Sequence, residues 1–186
     1  IYKKQDKWII EMPQSRLNLY KLEHWSSALG EWPIFPDAVE ESRRNGSFTY
    51  TEQKTNFMIV TLVLEGELQY TCMNSSYYVK KGEILIIPLN AAYSFSNSPK
   101  GYYHKLVLEI KGASLDSYCS MIQLDRPLQL KTSDFDSIES RIRELAALLH
   151  DSDEKNIPSM LAILHGLLAE FSLSVKAVQA KNIQLI

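Results

Sequence analysis

The apolar residues of this chain change their spacing once. From Phe57 to Ile110 they alternate with polar residues or form short β-branched runs; from residue 133 to about 180 they recur every three or four positions. A strand sends successive side chains to opposite faces, whereas a helix brings every third or fourth residue to one face. A block of strands followed by a block of helices excludes an alternating βαβ plan and predicts a mainly-β domain with C-terminal helices. Phe57 to Leu64 reads as a strand buried on both faces, and Glu67 to Met73 alternates strictly. A turn at Asn74-Ser75-Ser76 leads into Tyr77–Val79, and one at Lys81-Gly82-Glu83 leads into Ile84–Ile87, which Pro88 stops. Tyr93 to Phe95 is extended, Ser98 to Gly101 turns, and Tyr102 to Ile110 is the last long strand. Short strands at this spacing predict an antiparallel sandwich or barrel.

The helical block divides in two. Thr132-Ser133 offers an N-cap, with Ser133 and Asp136 in capping-box register. Phe135, Ile138, Ile142, Leu145 and Leu149 follow at coiled-coil spacing. Asn156 with Pro158 opens a second helix carrying Met160, Leu161, Ile163, Leu164, Leu167, Leu168, Phe171, Val175 and Val178. That stripe is wider than one contact needs. The expectation is therefore a homodimer joined through Phe135, Ile138, Ile142, Leu145, Leu149, Leu161, Leu164 and Leu168. The alternative is that both helices pack on each other and on their own strands.

Composition removes several function classes. The chain has 186 residues, 45% apolar and 23% charged, which suits one domain with a real core. It divides into an N-terminal arm with the first strands (1–50), the main strands (51–132) and the helices (133–180). Net charge is −2, and Arg43-Arg44 is too short to grip nucleic acid, so these residues do not form a DNA-binding surface. No apolar run approaches the roughly 18 residues of a membrane span, and no leader opens the chain. The first residue is Ile1, which suggests a fragment. Cys72 and Cys119 have no metal or redox spacing and read as reduced thiols of a cytoplasmic protein. The histidines stand at 24, 104, 150 and 165, so no local metal-ligand cluster forms. Neither a nucleophile elbow nor a phosphate-cradling glycine loop appears. The sequence predicts no enzyme activity, metal or cofactor.

Strand parity suggests where a ligand could bind. In Tyr102–Ile110, Lys105 and Glu109 share one face, and His104, Leu106, Leu108 and Ile110 share the other. If the charged face meets solvent, His104 and Leu106 point inward, although Tyr103 and Val107 fall on the Lys105 face. The same argument turns Tyr93 and Phe95 inward, with Leu68, Tyr70 and Cys72. Tyr70, Tyr93, Phe95, His104 and Leu106 would then line a mostly apolar cavity with a few polar groups. Alternatively, these side chains simply plug the barrel. Trp25 and Trp32 either pack on the barrel or close its mouth, and His165 reads as a surface or interface-edge residue.

Gly66, the run Tyr78-Val79-Lys80-Lys81-Gly82-Glu83-Ile84-Leu85-Ile86-Ile87-Pro88, then Tyr93-Ser94-Phe95 and Tyr102 to Val107, in that order and ahead of two amphipathic helices, resemble the sensor domain of AraC-type transcription regulators. The resemblance implies a cupin-like antiparallel β-barrel (a double-stranded β-helix, or jelly roll) followed by two antiparallel helices. It implies a small-molecule effector whose site includes the positions of Tyr93, Phe95, His104 and Leu106. It also implies a homodimer that contacts DNA only through a helix-turn-helix domain outside this chain. A free-standing sugar- or acid-binding cupin and a cupin enzyme are the competing classes.

Overall fold

A computed structural model describes residues 32–97, 101–151 and 153–183, together with three short strands at 2–4, 7–9 and 17–21. Trp25, His24, residues 98–100 of the expected turn and the side chain of Val178 lie outside the described residues. Eleven strands and three α-helices follow in order: β1 (Tyr2–Lys4), β2 (Lys7–Ile9), β3 (Leu17–Lys21), β4 (Phe35–Asn45), β5 (Phe48–Glu52), β6 (Met58–Cys72), β7 (Ser75–Lys80), β8 (Glu83–Ile87), β9 (Tyr93–Asn97), β10 (Tyr102–Lys111), α1 (Leu115–Met121), β11 (Leu128–Lys131), α2 (Phe135–Asp151) and, after a short 3-10 turn, α3 (Ile157–Ile183).

All pairings are antiparallel, as the period-two block predicts. β6 is the spine. Its first half pairs with β10 and β8, and its second half pairs with β7 and β9. The two halves therefore belong to two sheets: β3-β4-β10-β6-β8-β11 and β5-β9-β6-β7. Gly66 stands at the change of partners with φ +74, and a Cβ there would lie 1.8 Å from the Tyr102 carbonyl oxygen. Only glycine accepts both that backbone angle and that approach. The β6–β7 turn is made by Met73 and Asn74, with φ 49 and 64, which is the left-handed pair of a two-residue hairpin. It lies one residue earlier than the sequence suggested.

Two expectations are corrected. The strands do not close into a barrel: β3 and β11 end the long sheet without pairing to each other among the described residues. Among the described residues there are also three α-helices rather than two. α1 has only two buried residues, Leu115 and Cys119, too short a stripe for periodicity to register. The helices α2 and α3 lie where the three-and-four spacing places them. α2 starts at Phe135, and just before it Thr132 Oγ1 accepts a bond from the Asp134 amide at 3.1 Å.

The core has two layers. On one face of the long sheet, Val39, Val60, Leu62, Ile84, Ile86, Leu106, Leu108 and Ile110 meet the helices, and half-buried Trp32 packs there. Between the sheets, Ile59, Val63, Leu68, Tyr70, Val79, Leu85, Phe95, Tyr103 and Val107 form a second cluster. β10 is central and covered on both sides, which is why all eight residues from Tyr103 to Ile110 are buried.

The helix layer decides the fate of the proposed dimer residues. Ile138, Ile142, Leu145, Leu149, Leu164 and Leu168 are 0–1% exposed inside the single chain. Only Phe135 and Leu161 keep partial exposure. The sheet and the opposing helix already cover those six, so no partner is needed to bury them. Arg141 on α2 pairs with Glu170 on α3. The stretch Glu154–Lys176 is long and apolar enough to cross a membrane by length and composition, contrary to the sequence reading, and a third of it is buried here.

Candidate functional site

The inter-sheet layer holds a connected set of aromatic rings. Tyr70 on β6 and Phe95 on β9 pair directly across the strands, with ring centroids 5.2 Å apart. Tyr93, two residues before Phe95 on the same face, stacks on Tyr70 at 6.5 Å. Phe48 and Tyr50 from β5 reach Phe95 at 5.6 and 5.4 Å, and Tyr103 from β10 meets its edge at 6.4 Å. Tyr70, Phe95 and Tyr103 are buried, Phe48 and Tyr93 are half-buried, and Tyr50 is exposed, so the set runs from the interior to the surface at the β5 edge.

Burial raises the pKa of the Tyr70, Tyr93 and Tyr50 hydroxyls well above the usual phenol value and shifts Tyr103 in the same direction. They stay protonated at any physiological pH and can donate hydrogen bonds. The Thr61 hydroxyl works in the other direction on Tyr70. Arg44 covers the Phe48 ring, its Cζ 3.9 Å from the centroid. The Glu40 and Glu109 carboxylates act on Tyr50 from the same interior.

Of the five residues expected to line a cavity, the structure brings three together and places two elsewhere. Tyr70, Tyr93 and Phe95 lie together. His104 and Leu106 do not join them, because both face the helices. The error came from assuming that the Lys105–Glu109 face of β10 meets water. That face points between the sheets, and Lys105 and Glu109 are 6% and 7% exposed. Tyr103 and Val107 on the same face were the signal that could have shown it. Phe48, Tyr50 and Arg44 were missed because they sit in a stretch whose proline-rich beginning reads as irregular.

His104 has a different task. Its Nε2 donates to Glu41 Oε1 at 2.7 Å, and Arg143 from α2 donates to the same oxygen at 3.1 Å. Arg143 also holds Glu139 at 2.8 Å, one turn before it on α2. The Arg143 guanidinium is the main reason that the Glu41 carboxyl falls to about 2, with His104 adding to the effect against some desolvation. Sheet and helix are thus clamped by one carboxylate. His165 meets Tyr118 of α1 at 3.4 Å and is otherwise exposed, close to its sequence reading.

Among the described residues, no group of three or more His, Cys, Asp or Glu side chains is placed to hold a metal ion. Cys72 and Cys119 are free and buried, and burial pushes the Cys119 thiol up to about 12.

The AraC-like ligand binding domain family matches residues 38–168, well over half of the chain. This chain belongs to that family. Among solved structures, the AraC-like transcriptional activator CuxR is similar at a TM-score of 0.57 and 13% identity, over 80% of this chain and 53% of CuxR. YhaK from Escherichia coli gives 0.47 and 13%, over 63% of this chain and 52% of YhaK. The Schizosaccharomyces pombe Cnp3 cupin domain gives 0.44 and 14%, over 59% of this chain and 69% of that domain. The AraC-like chain therefore spans about half the length of CuxR and of YhaK. A comparison with curated proteins found no match.

Proposed function

We propose that this chain is the effector-sensing and pairing half of an AraC-type transcription regulator, working in the cytoplasm without catalysis or cofactor. The effector is a small molecule held between the two sheets by Tyr70, Tyr93 and Phe95. DNA binding belongs to a helix-turn-helix domain of the parent protein outside this chain. The observation that carries the reading is the ring set running from the β5 edge inward, within a chain of the AraC-like ligand-binding family. Apolar walls with a few phenolic donors suit binding and orientation of a small organic molecule.

β10 supplies a route from site to helix. Its odd-numbered residues face the rings, while its even-numbered ones, His104 among them, face the helix layer. An effector that shifts Tyr103 or Lys105 moves His104, and the Glu41–Arg143 clamp passes the shift to α2. Pairing of two copies then uses the outer face of α3, where Leu161 is half-buried and Leu173 is 66% exposed, in the two-fold geometry usual for homodimers.

The test is to recover the 186-residue chain from cells and identify copurified small molecules by mass spectrometry. Each is then titrated against the parent chain and Phe95→Ala. A compound that binds the parent and is at least tenfold weaker on the variant supports the site. Equal binding to both would place the effector elsewhere. Sedimentation of the parent and of Leu173→Glu tests pairing, with a dimer expected for the first and a monomer for the second.

A further inference from the structure

Lys105 is a buried cation among these rings. It is 6% exposed, yet among the described residues its ammonium makes no ion pair. Its Nζ lies over the Phe95 ring at 3.9 Å and sees Tyr103 at 6.0 Å. Directly opposite it on β4 is Ser42, and paired residues of neighbouring strands share a face. Ser42 is 5% exposed, and its Oγ is buried without a hydrogen-bond partner among the described residues. Two polar donors that face the same interior are therefore left without an acceptor.

Leaving a buried ammonium without a counter-charge is costly, and a ring face compensates only in part. Replacing it with an apolar side chain of similar length would serve stability better. The neighbouring charges do not relieve it. Glu40 stands opposite Val107 and Glu109 opposite Ala38, two and four residue pairs along, and no ion pair to Lys105 is found among the described residues. Arg44, opposite Tyr103, adds a second positive charge over the Phe48 ring.

We propose that the effector carries a carboxylate on a flat, apolar ring, with the carboxylate accepting from Lys105 Nζ and Ser42 Oγ and the ring lying against Phe95 and Tyr70. This rests on the reading of the inter-sheet layer as the effector site and adds the chemical class. An ammonium and a hydroxyl complement one carboxylate, since both donate and the carboxylate only accepts. The ring set offers the body of such a molecule a face to stack on. On binding, the ammonium exchanges the Phe95 face for the carboxylate, so the ligand takes the place on the ring that the cation leaves.

The experiment uses matched fragments: benzoate, 4-hydroxybenzoate and phenylacetate against benzamide, 4-hydroxybenzamide and phenylacetamide. Binding to the 186-residue chain is followed by NMR shifts of the Tyr and Phe ring signals. The acids are expected to bind at least tenfold more tightly than their amides. Lys105→Met should erase that preference and leave amide affinity within about twofold, while Lys105→Arg keeps most of it and Ser42→Ala loses part. The thermal midpoint of Lys105→Met should equal or exceed that of the parent, which a purely structural lysine would not permit. Acids and amides that bind alike, or a preference that survives in Lys105→Met, overturn the carboxylate class but leave the site standing. Fragments of either kind that leave every ring signal unmoved count against the site itself, and with it this proposal.

Discussion

Glu41→Gln isolates the charge in the clamp between sheet and helix. Glutamine keeps the length of the side chain and an oxygen that can still accept from His104 and Arg143, so what is removed is the negative charge. In the parent, the carboxyl falls from its ordinary 4.5 to about 2, chiefly because Arg143 bonds to it. One pKa unit corresponds to about 1.36 kcal/mol, so the clamp contributes at most about 3.4 kcal/mol. The Arg143 side chain is 41% exposed and Glu41 16%; solvent screening of the half-open partner brings the expectation to about 1–2 kcal/mol. The sign follows from the direction of the shift. A carboxylate with a depressed folded pKa stabilises the fold fully above about 4.5, and that contribution fades as the pH falls toward 2. Urea unfolding of parent and variant at pH 7, 5, 4 and 3 should give a gap of about 1–2 kcal/mol at pH 7 that shrinks steadily below pH 4.5. A gap that stays constant over the whole range, or that widens in acid, would refute the assignment of the stabilisation to Glu41 ionisation.

Gly66→Ala should cost about 3 kcal/mol or prevent folding, because the new Cβ meets the Tyr102 carbonyl at a left-handed backbone angle; an unchanged thermal midpoint would show that β6 crosses between the sheets differently. Leu145→Ala should lower stability by about 2–5 kcal/mol through a cavity between sheet and helices, with no change in association state by sedimentation, since Leu145 is fully covered within one chain. Cys119 should resist a thiol reagent in the native chain at pH 8 and react at once in denaturant, because burial pushes its thiol up to about 12; rapid native labelling would mean that α1 opens. His104→Ala should weaken the coupling between effector binding and protection of α2 amides from hydrogen exchange, and unchanged coupling would remove the proposed route through β10.

Much of the fold was legible because side-chain period is a local property. The alternation of Glu67 to Met73 and the three-and-four spacing from Phe135 to Leu149 fix strand and helix without reference to anything distant. Tyr70, Tyr93 and Phe95 were legible for the same reason, since each lies opposite polar neighbours on a half-buried strand. α1 and β11 escaped notice because a helix of seven residues and a strand of four carry too few buried positions to show a period. β5 was hidden for another reason: four of its five residues are polar or tyrosine, and none is buried.

By itself the sequence determined that a block of strands precedes a block of helices, that Tyr70, Tyr93 and Phe95 turn to one interior, and the family. These follow from spacing and from short motifs, which need no knowledge of which element lies beside which. Only the tertiary structure decided which face of β10 looks between the sheets. A strand with apolar residues on both faces and charges on one has two readings, and the choice depends on whether its charged face meets water or another sheet. In this chain the second sheet covers it, so Lys105 lies with the rings and His104 with the helices. The same is true of the helices: their apolar width is local, but whether a partner or the chain's own sheet covers Ile142 and Leu145 is a matter of packing, and here the sheet and α3 do.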